Sequence, residues 1–235
     1  MAAQLTFADR RRKDGKARRR PGRKRSARPV VAHAKRPAHK RWNPLHITIR
    51  ARSAPWSLRS QLLTSALEAA LRLTVRPDFR LVEHSIQRDH LHLAVEADSA
   101  DALARGMKSF LVRATRLLNK ALGRPRGSIW LGRYHRTDLT TPRQVRNALV
   151  YILNNGRKHG EVSRTALVLD ACSSARWFTG WSIARTVREG PSPLQPATTA
   201  LLRYLWQRHG KINPLEMPVA GHASARRAPS RSAWS

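Results

Sequence analysis

Apolar and polar positions alternate from Leu45 to Arg50, with Ile47 and Ile49 on one side and His46, Thr48 and Arg50 on the other, a period that predicts a half-buried β-strand. The period then changes. From Ser60 to Leu73 the residues Leu62, Leu63, Ala66, Leu67, Ala70 and Leu71 recur at helical spacing and predict a helix packed behind the sheet. Phe79 to Gln87 returns to strand character, Arg88-Asp89 marks a turn, and a further strand runs through Val95, as in a hairpin. Ala100 to Leu122 predicts a second long helix, with Leu103, Met107, Phe110, Leu111, Ala114, Leu117 and Leu118 on one side. This β-α-β-β-α order predicts an α+β fold, a ferredoxin-like or RRM-like antiparallel sheet with helices packed on one face and the site on the other.

Another helix is expected at Thr141-Pro142-Arg143-Gln144, where a hydroxyl N-cap, a proline at the first helical position and a glutamine at the third form a capping box. Val145, Ala148, Leu149 and Ile152 make its buried stripe, and Gly156 is expected to end it ahead of Arg157-Lys158-His159. Beyond Gly160 the pattern weakens. Ala197 to His209 predicts one amphipathic helix built on Leu201, Leu202, Leu205 and Trp206, suited to covering the core or recruiting a second copy in a homodimer. The chain thus divides into a disordered basic arm over 1–41, a globular domain over 42–160, a C-terminal extension over 161–217 with one helix, and a disordered tail over 218–235.

Charge narrows the partner. A formal net charge of +32 over 235 residues calls for a polyanion, and nucleic acid is the economical choice. Lysines and arginines crowd residues 1 to 41 against only Asp9 and Asp14, so the arm should add salt-sensitive phosphate contacts without sequence information. The loop Gly123-Arg124-Pro125-Arg126-Gly127, followed by Trp130, Arg133, Tyr134 and Arg136, interleaves arginines with aromatics and is a candidate surface for unpaired bases and their phosphates. No apolar run has the length of a membrane span and no secretory leader is expected, which argues against a membrane partner. Cys172 is the only cysteine, which rules out an intrachain disulfide or a cysteine zinc site and fits a cytoplasmic protein.

The candidate chemistry lies in Arg88-Asp89-His90-Leu91-His92-Leu93-Ala94-Val95. Residues two apart share a strand face, so His90 and His92 point together while Leu91, Leu93 and Val95 seal a core on the other side. Downstream, Tyr151 and Asn155 stand one helical turn apart. Two neutral imidazoles and an amide oxygen can bind a divalent cation such as Mg²⁺ or Mn²⁺ and leave positions for phosphate oxygens. A tyrosine beside it can attack a phosphodiester once its phenol, with a pKa of about 10, is activated. The bland alternatives are packing histidines and a core-edge tyrosine. Tyr134 is a rival nucleophile with no partner four residues on, His46 and His135 are candidate accessories, and His84 reads as structural.

These residues resemble a known family. His90-Leu91-His92 resembles the His-hydrophobic-His signature of the HUH single-strand nucleases, and Tyr151 with Asn155 resembles the catalytic helix of single-tyrosine transposases, in particular the REP-associated branch. The likeness spans 42–160 and includes the strand Leu45 to Arg50, Leu58-Arg59, and Ile129 to His135, which is similar to the family's Trp-x-x-(Arg)-Tyr-His stretch. Asn154-Asn155-Gly156 departs from it, since that branch often has Asn-Pro there. The resemblance implies an HUH fold, His90, His92 and Asn155 as metal ligands, Tyr151 as the nucleophile, and hairpin DNA cut through a 5′-phosphotyrosine. The alternative is a non-catalytic hairpin DNA- or RNA-binding protein, which has no need of all four residues; a relaxase usually carries larger accessory domains.

Overall fold

The alternating and helical periods of the first three strands and three helices become elements where they are expected, and a short fourth strand, His135–Asp138, forms where a loop is expected. The computed structural model describes residues 38–52, 54–183 and 191–218, so most of the basic arm and the tail after Pro218 lie outside the described residues. In chain order the elements are β1 (Leu45–Arg50), α1 (Gln61–Leu73), β2 (Phe79–Ile86), β3 (His90–Ala97), α2 (Ala100–Ala121), β4 (His135–Asp138) and α3 (Pro142–Leu153). The sheet order is β2-β3-β1-β4 and every neighbouring pair is antiparallel, the ferredoxin-like arrangement. All of this belongs to one unit of the chain, His33–Ser235.

The two long helices close one face. Leu63, Leu67 and Leu71 of α1 join Met107, Phe110 and Ala114 of α2 over Ile47, Ile49, Leu91 and Leu93 of the central strands. The other face is not bare. Val145, Ala148, Leu149 and Ile152 carry α3 across it onto Val82 and Ala94, and Phe178, Trp181, Leu202, Trp206 and Ile212 of the C-terminal extension complete that second core. Helix α3 starts where its cap dictates: Thr141 Oγ1 accepts from Gln144 N–H at 3.2 Å, and Gln144 Oε1 accepts from Thr140 N–H at 2.8 Å.

Two helix boundaries differ from expectation. Helix α3 stops at Leu153, Asn154 leaves helical geometry, and a short turn α4 (Asn155–Lys158) follows, so Gly156 lies inside a helix instead of ending one. A Cβ at Gly156 would stand 2.3 Å from Asp170 Oδ2, so the glycine is there for close approach, and Gly160, at φ +73°, is the left-handed residue that follows. The stretch Ala197 to His209 is not one helix either. It holds α5 (Ala200–Arg203) and a 3₁₀ turn, Leu205–His209, broken at Tyr204, because Trp206 turns inward against Phe178 and the bare backbone of Gly180. No helix among the described residues is long and apolar enough to cross a membrane.

Two adjacent groups on β2, half-buried Glu83 and buried His84, set a pH optimum for the fold. Loss of water pushes the Glu83 carboxyl up from 4.5 to about 8, and burial pushes His84 down from 6.5 to about 3. Of these two, Glu83 is the one that differs above pH 6.5: the unfolded chain has lost its proton and the folded chain keeps it, so its contribution falls as pH rises to about 8. Below pH 4.5 the unfolded chain protonates His84 and the folded one does not, so stability falls toward pH 3. Between those limits the two cancel, and buried His92, also held below 6.5, tilts the balance upward with pH. We expect urea midpoints to peak near pH 6.5 and the alkaline slope, at most about 1.4 kcal/mol per pH unit, to vanish in Glu83→Gln. A slope unchanged in that variant would refute the assignment.

Candidate functional site

His90 and His92 leave β3 on the same side, with rings 4.8 Å apart and nearly perpendicular, while Leu91, Leu93 and Val95 are sealed in the main core. Register brings β1 alongside: Arg50 stands opposite His90 and Thr48 opposite His92. Helix α3 then lays Tyr151 over the pair. Its ring meets His92 edge-on at 4.9 Å and His46 at 5.7 Å, and only 8% of the residue is exposed. A tyrosine and two imidazoles from distant segments thus meet within one chain.

Each imidazole is held by its Nδ1. Asp89 Oδ1 lies 2.6 Å from His90 Nδ1, and His92 Nδ1 hydrogen-bonds with His46 Nε2 and Thr48 Oγ1, both at 3.1 Å. Holding Nδ1 in this way aims Nε2 away from the strand, as metal-binding histidines are usually held. His92 Nε2 is buried and has no partner among the described residues. Burial, followed by the charges of His46, His90 and His159, keeps His92 well below the ordinary 6.5 and therefore neutral. Neutral imidazole is the form that ligates.

Asn155 opens α4 with 0% exposure, and neither its Oδ1 nor its Nδ2 has a partner among the described residues. A buried carboxamide with both ends unmet is costly unless something else meets it. Among the described residues no three His, Cys, Asp or Glu side chains form a cation cage, so a cation held by His90 and His92 would need a further donor of another kind, such as an amide oxygen. The orphaned His92 Nε2 and Asn155 Oδ1 are donors of the kind a divalent cation takes.

Positive charge faces the tyrosine. Lys158 Nζ lies 4.9 Å over its ring, and Arg50 draws its phenol toward ionisation, although burial leaves the net shift upward from 10. His159 extends the cluster, its ring 5.8 Å from His90. Asp89, Lys158 and His159 were not singled out as site residues from the sequence. The adjacency of Asp89 to His90 was the available signal for the first.

The basic loop divides. Arg124, Arg126 and Arg133 are exposed. Trp130 and Tyr134 are half-buried against the main core, and Trp130 Nε1–H donates to Thr115 Oγ1 at 3.0 Å. Arg136 is committed to both oxygens of Asp138, at 2.5 and 2.6 Å. Tyr134, half-buried against that core, has no ring contact to His90 or His92 of the kind Tyr151 makes with His92. His135 sits on β4 opposite Thr48, and His84 is buried beside Trp177. Cys172 packs near Thr64 with its thiol pushed up by burial, the state of an unreactive cysteine.

A ferredoxin-like sheet with paired histidines on a central strand and a tyrosine helix crossing them is the class of architecture this chain presents. No protein-family model and no curated protein matches it. Among solved structures it is similar to a REP-associated tyrosine transposase bound to a REP hairpin, at 18% identity over 68% of this chain and 93% of that one, with a TM-score of 0.49. What the site can do is decided by its own residues.

Proposed function

We propose that the chain is a metal-dependent single-strand DNA transposase or nickase that binds DNA hairpin ends and cuts and rejoins strands through a 5′-phosphotyrosine at Tyr151. The observation that carries this reading is Tyr151 standing edge-on to His92, whose Nε2 is orphaned. His90, His92 and Asn155 would hold the cation, Mg²⁺ or Mn²⁺, which would polarise the phosphorus and neutralise developing charge. Asp89 and the His46–Thr48 pair orient the imidazoles through Nδ1. Lys158 and Arg50 favour the phenolate once a strand has arrived. Tyr151 Oη then attacks phosphorus and its proton departs to solvent. The bond from phosphorus to the 3′ oxygen breaks, and that oxygen takes up a proton. A second strand's 3′ hydroxyl reverses the exchange, so rejoining needs no ATP. Such a protein would work in the cytoplasm with its DNA.

Incubation of the protein with labelled hairpin oligonucleotides and Mg²⁺ or Mn²⁺ should leave a denaturation-resistant adduct that Tyr151→Phe and EDTA each abolish. Hairpin binding with no adduct would leave only a binding protein.

The basic arm should contribute affinity without selectivity. A chain beginning at Arg41 should show a flatter dependence of log affinity on log salt, by about 0.7 per lost phosphate contact on single strands. Its preference for a hairpin over a scrambled strand should persist, because Arg124, Arg126 and Arg133 are carried by the folded domain. Loss of that preference would assign recognition to the arm.

A further inference from the structure

Leu149 and Tyr151 lie about 200° apart around α3, and away from the tyrosine Leu149 lines a cavity of about 450 Å³. The edge strand β2 contributes Glu83, and the C-terminal extension contributes Trp177, Gln195, Arg203 and Trp206. We propose that this cavity receives one unpaired nucleobase of a bound strand, at a place separate from the position of cleavage. The inference deepens the function proposed above, since it names where the same DNA is read.

The volume lies within the range of small-ligand pockets, and its mixture of aromatic walls with a few polar groups suits a flat heterocycle better than an aliphatic chain. Trp206 is fixed, its ring packed on Phe178 at 5.7 Å. Trp177 carries the Arg176 guanidinium over its ring at 3.9 Å, and its buried Nε1–H has no acceptor among the described residues. Gln195 gives its carboxamide oxygen to Leu81 N–H at 2.9 Å, which leaves its amide hydrogens for the cavity. Glu83, half-buried in the cavity wall beside Ser174, has its carboxyl pushed up to about 8 by loss of water and in that form carries a donor and an acceptor, the pattern that adjacent groups on a base edge complement. A protonated carboxyl also spares the phosphate chain a repelling charge. Arg203 supplies a cation for that phosphate.

The test uses the full chain labelled with ¹⁵N, whose seven tryptophans give seven indole signals, with Trp177→Phe assigning the relevant one. The probes are dAMP, dCMP, dGMP and dTMP, each to roughly 10 mM so that a millimolar site is filled, against 2-deoxyribose 5-phosphate and inorganic phosphate. At least one nucleotide should move the Trp177 signal saturably while the base-free probes leave it in place. Glu83→Leu should weaken that nucleotide about tenfold, and Glu83→Gln, which keeps a donor and an acceptor, should stay within about threefold. A Trp177 signal unmoved by all four nucleotides, or moved equally by the sugar phosphate, overturns the proposal. Failure to form the tyrosine adduct would sink the transposase reading alone, because nucleotide binding here does not require cleavage.

Discussion

His92→Ala should reduce strand cleavage by about a thousandfold or more, corresponding to the several kcal/mol of charge stabilisation a bound cation supplies. The variant removes the orphaned Nε2 and also frees His46 and Thr48, which hold His92 Nδ1. His90→Ala should behave alike. Asp89→Asn leaves both imidazoles but weakens the acceptor at His90 Nδ1, so a loss of about 10- to 100-fold is expected. Hairpin affinity should change little in all three, because the exposed arginines of the 124–133 loop lie elsewhere in the sequence. Gel-based cleavage rates beside equilibrium binding separate the two effects. Cleavage that persists in His92→Ala at near native rates would remove the histidine pair from the mechanism.

Glu96→Ala should destabilise the fold by about 3 kcal/mol, a large share of a typical domain's stability. Glu96 is 1% exposed on β3, and its two oxygens accept the backbone N–H and the hydroxyl of both Thr198 and Thr199, at 2.7 to 2.9 Å. Removing it strands four donors and releases the segment that delivers Leu202 and Trp206 to the second core. Urea unfolding measures the loss, and proteolysis should cut first after residue 197. Glu96→Gln should fall between the two, since an amide keeps one of the oxygens. A native midpoint for Glu96→Ala would show that the C-terminal extension is held by its apolar contacts alone.

Local periodicity made β1, β2, β3 and three helices readable, whereas the short β4, which lies within the basic aromatic stretch, showed no strand period. Leu45, Ile47 and Ile49 alternate because β1 buries one face, and the α1 and α2 stripes face a continuous core. The partnership of His90, His92 and Tyr151 was readable for the same reason: strand period paired the histidines and a capped helix presented the tyrosine. What escaped depends on contacts distant in sequence. Gly156 looked like a helix stop, yet Asp170, held by Arg59 at 2.9 and 3.0 Å, is what requires it. Trp130 and Arg136 looked available for nucleic acid, and only the fold shows Thr115 and Asp138 taking their donors. The extension showed no chemistry of its own because its role is completed by Glu96 and α3, far from it in sequence.

The proposed mechanism requires that Tyr151, and no other group, takes the DNA. It is tested most directly by isolating the covalent adduct, digesting it and locating the nucleotide-bearing residue by mass spectrometry among the three tyrosines, Tyr134, Tyr151 and Tyr204. A phosphodiester on Tyr151 carrying the 5′ end of the cut strand is expected. A nucleotide on Tyr134, on Tyr204 or on a serine would contradict it.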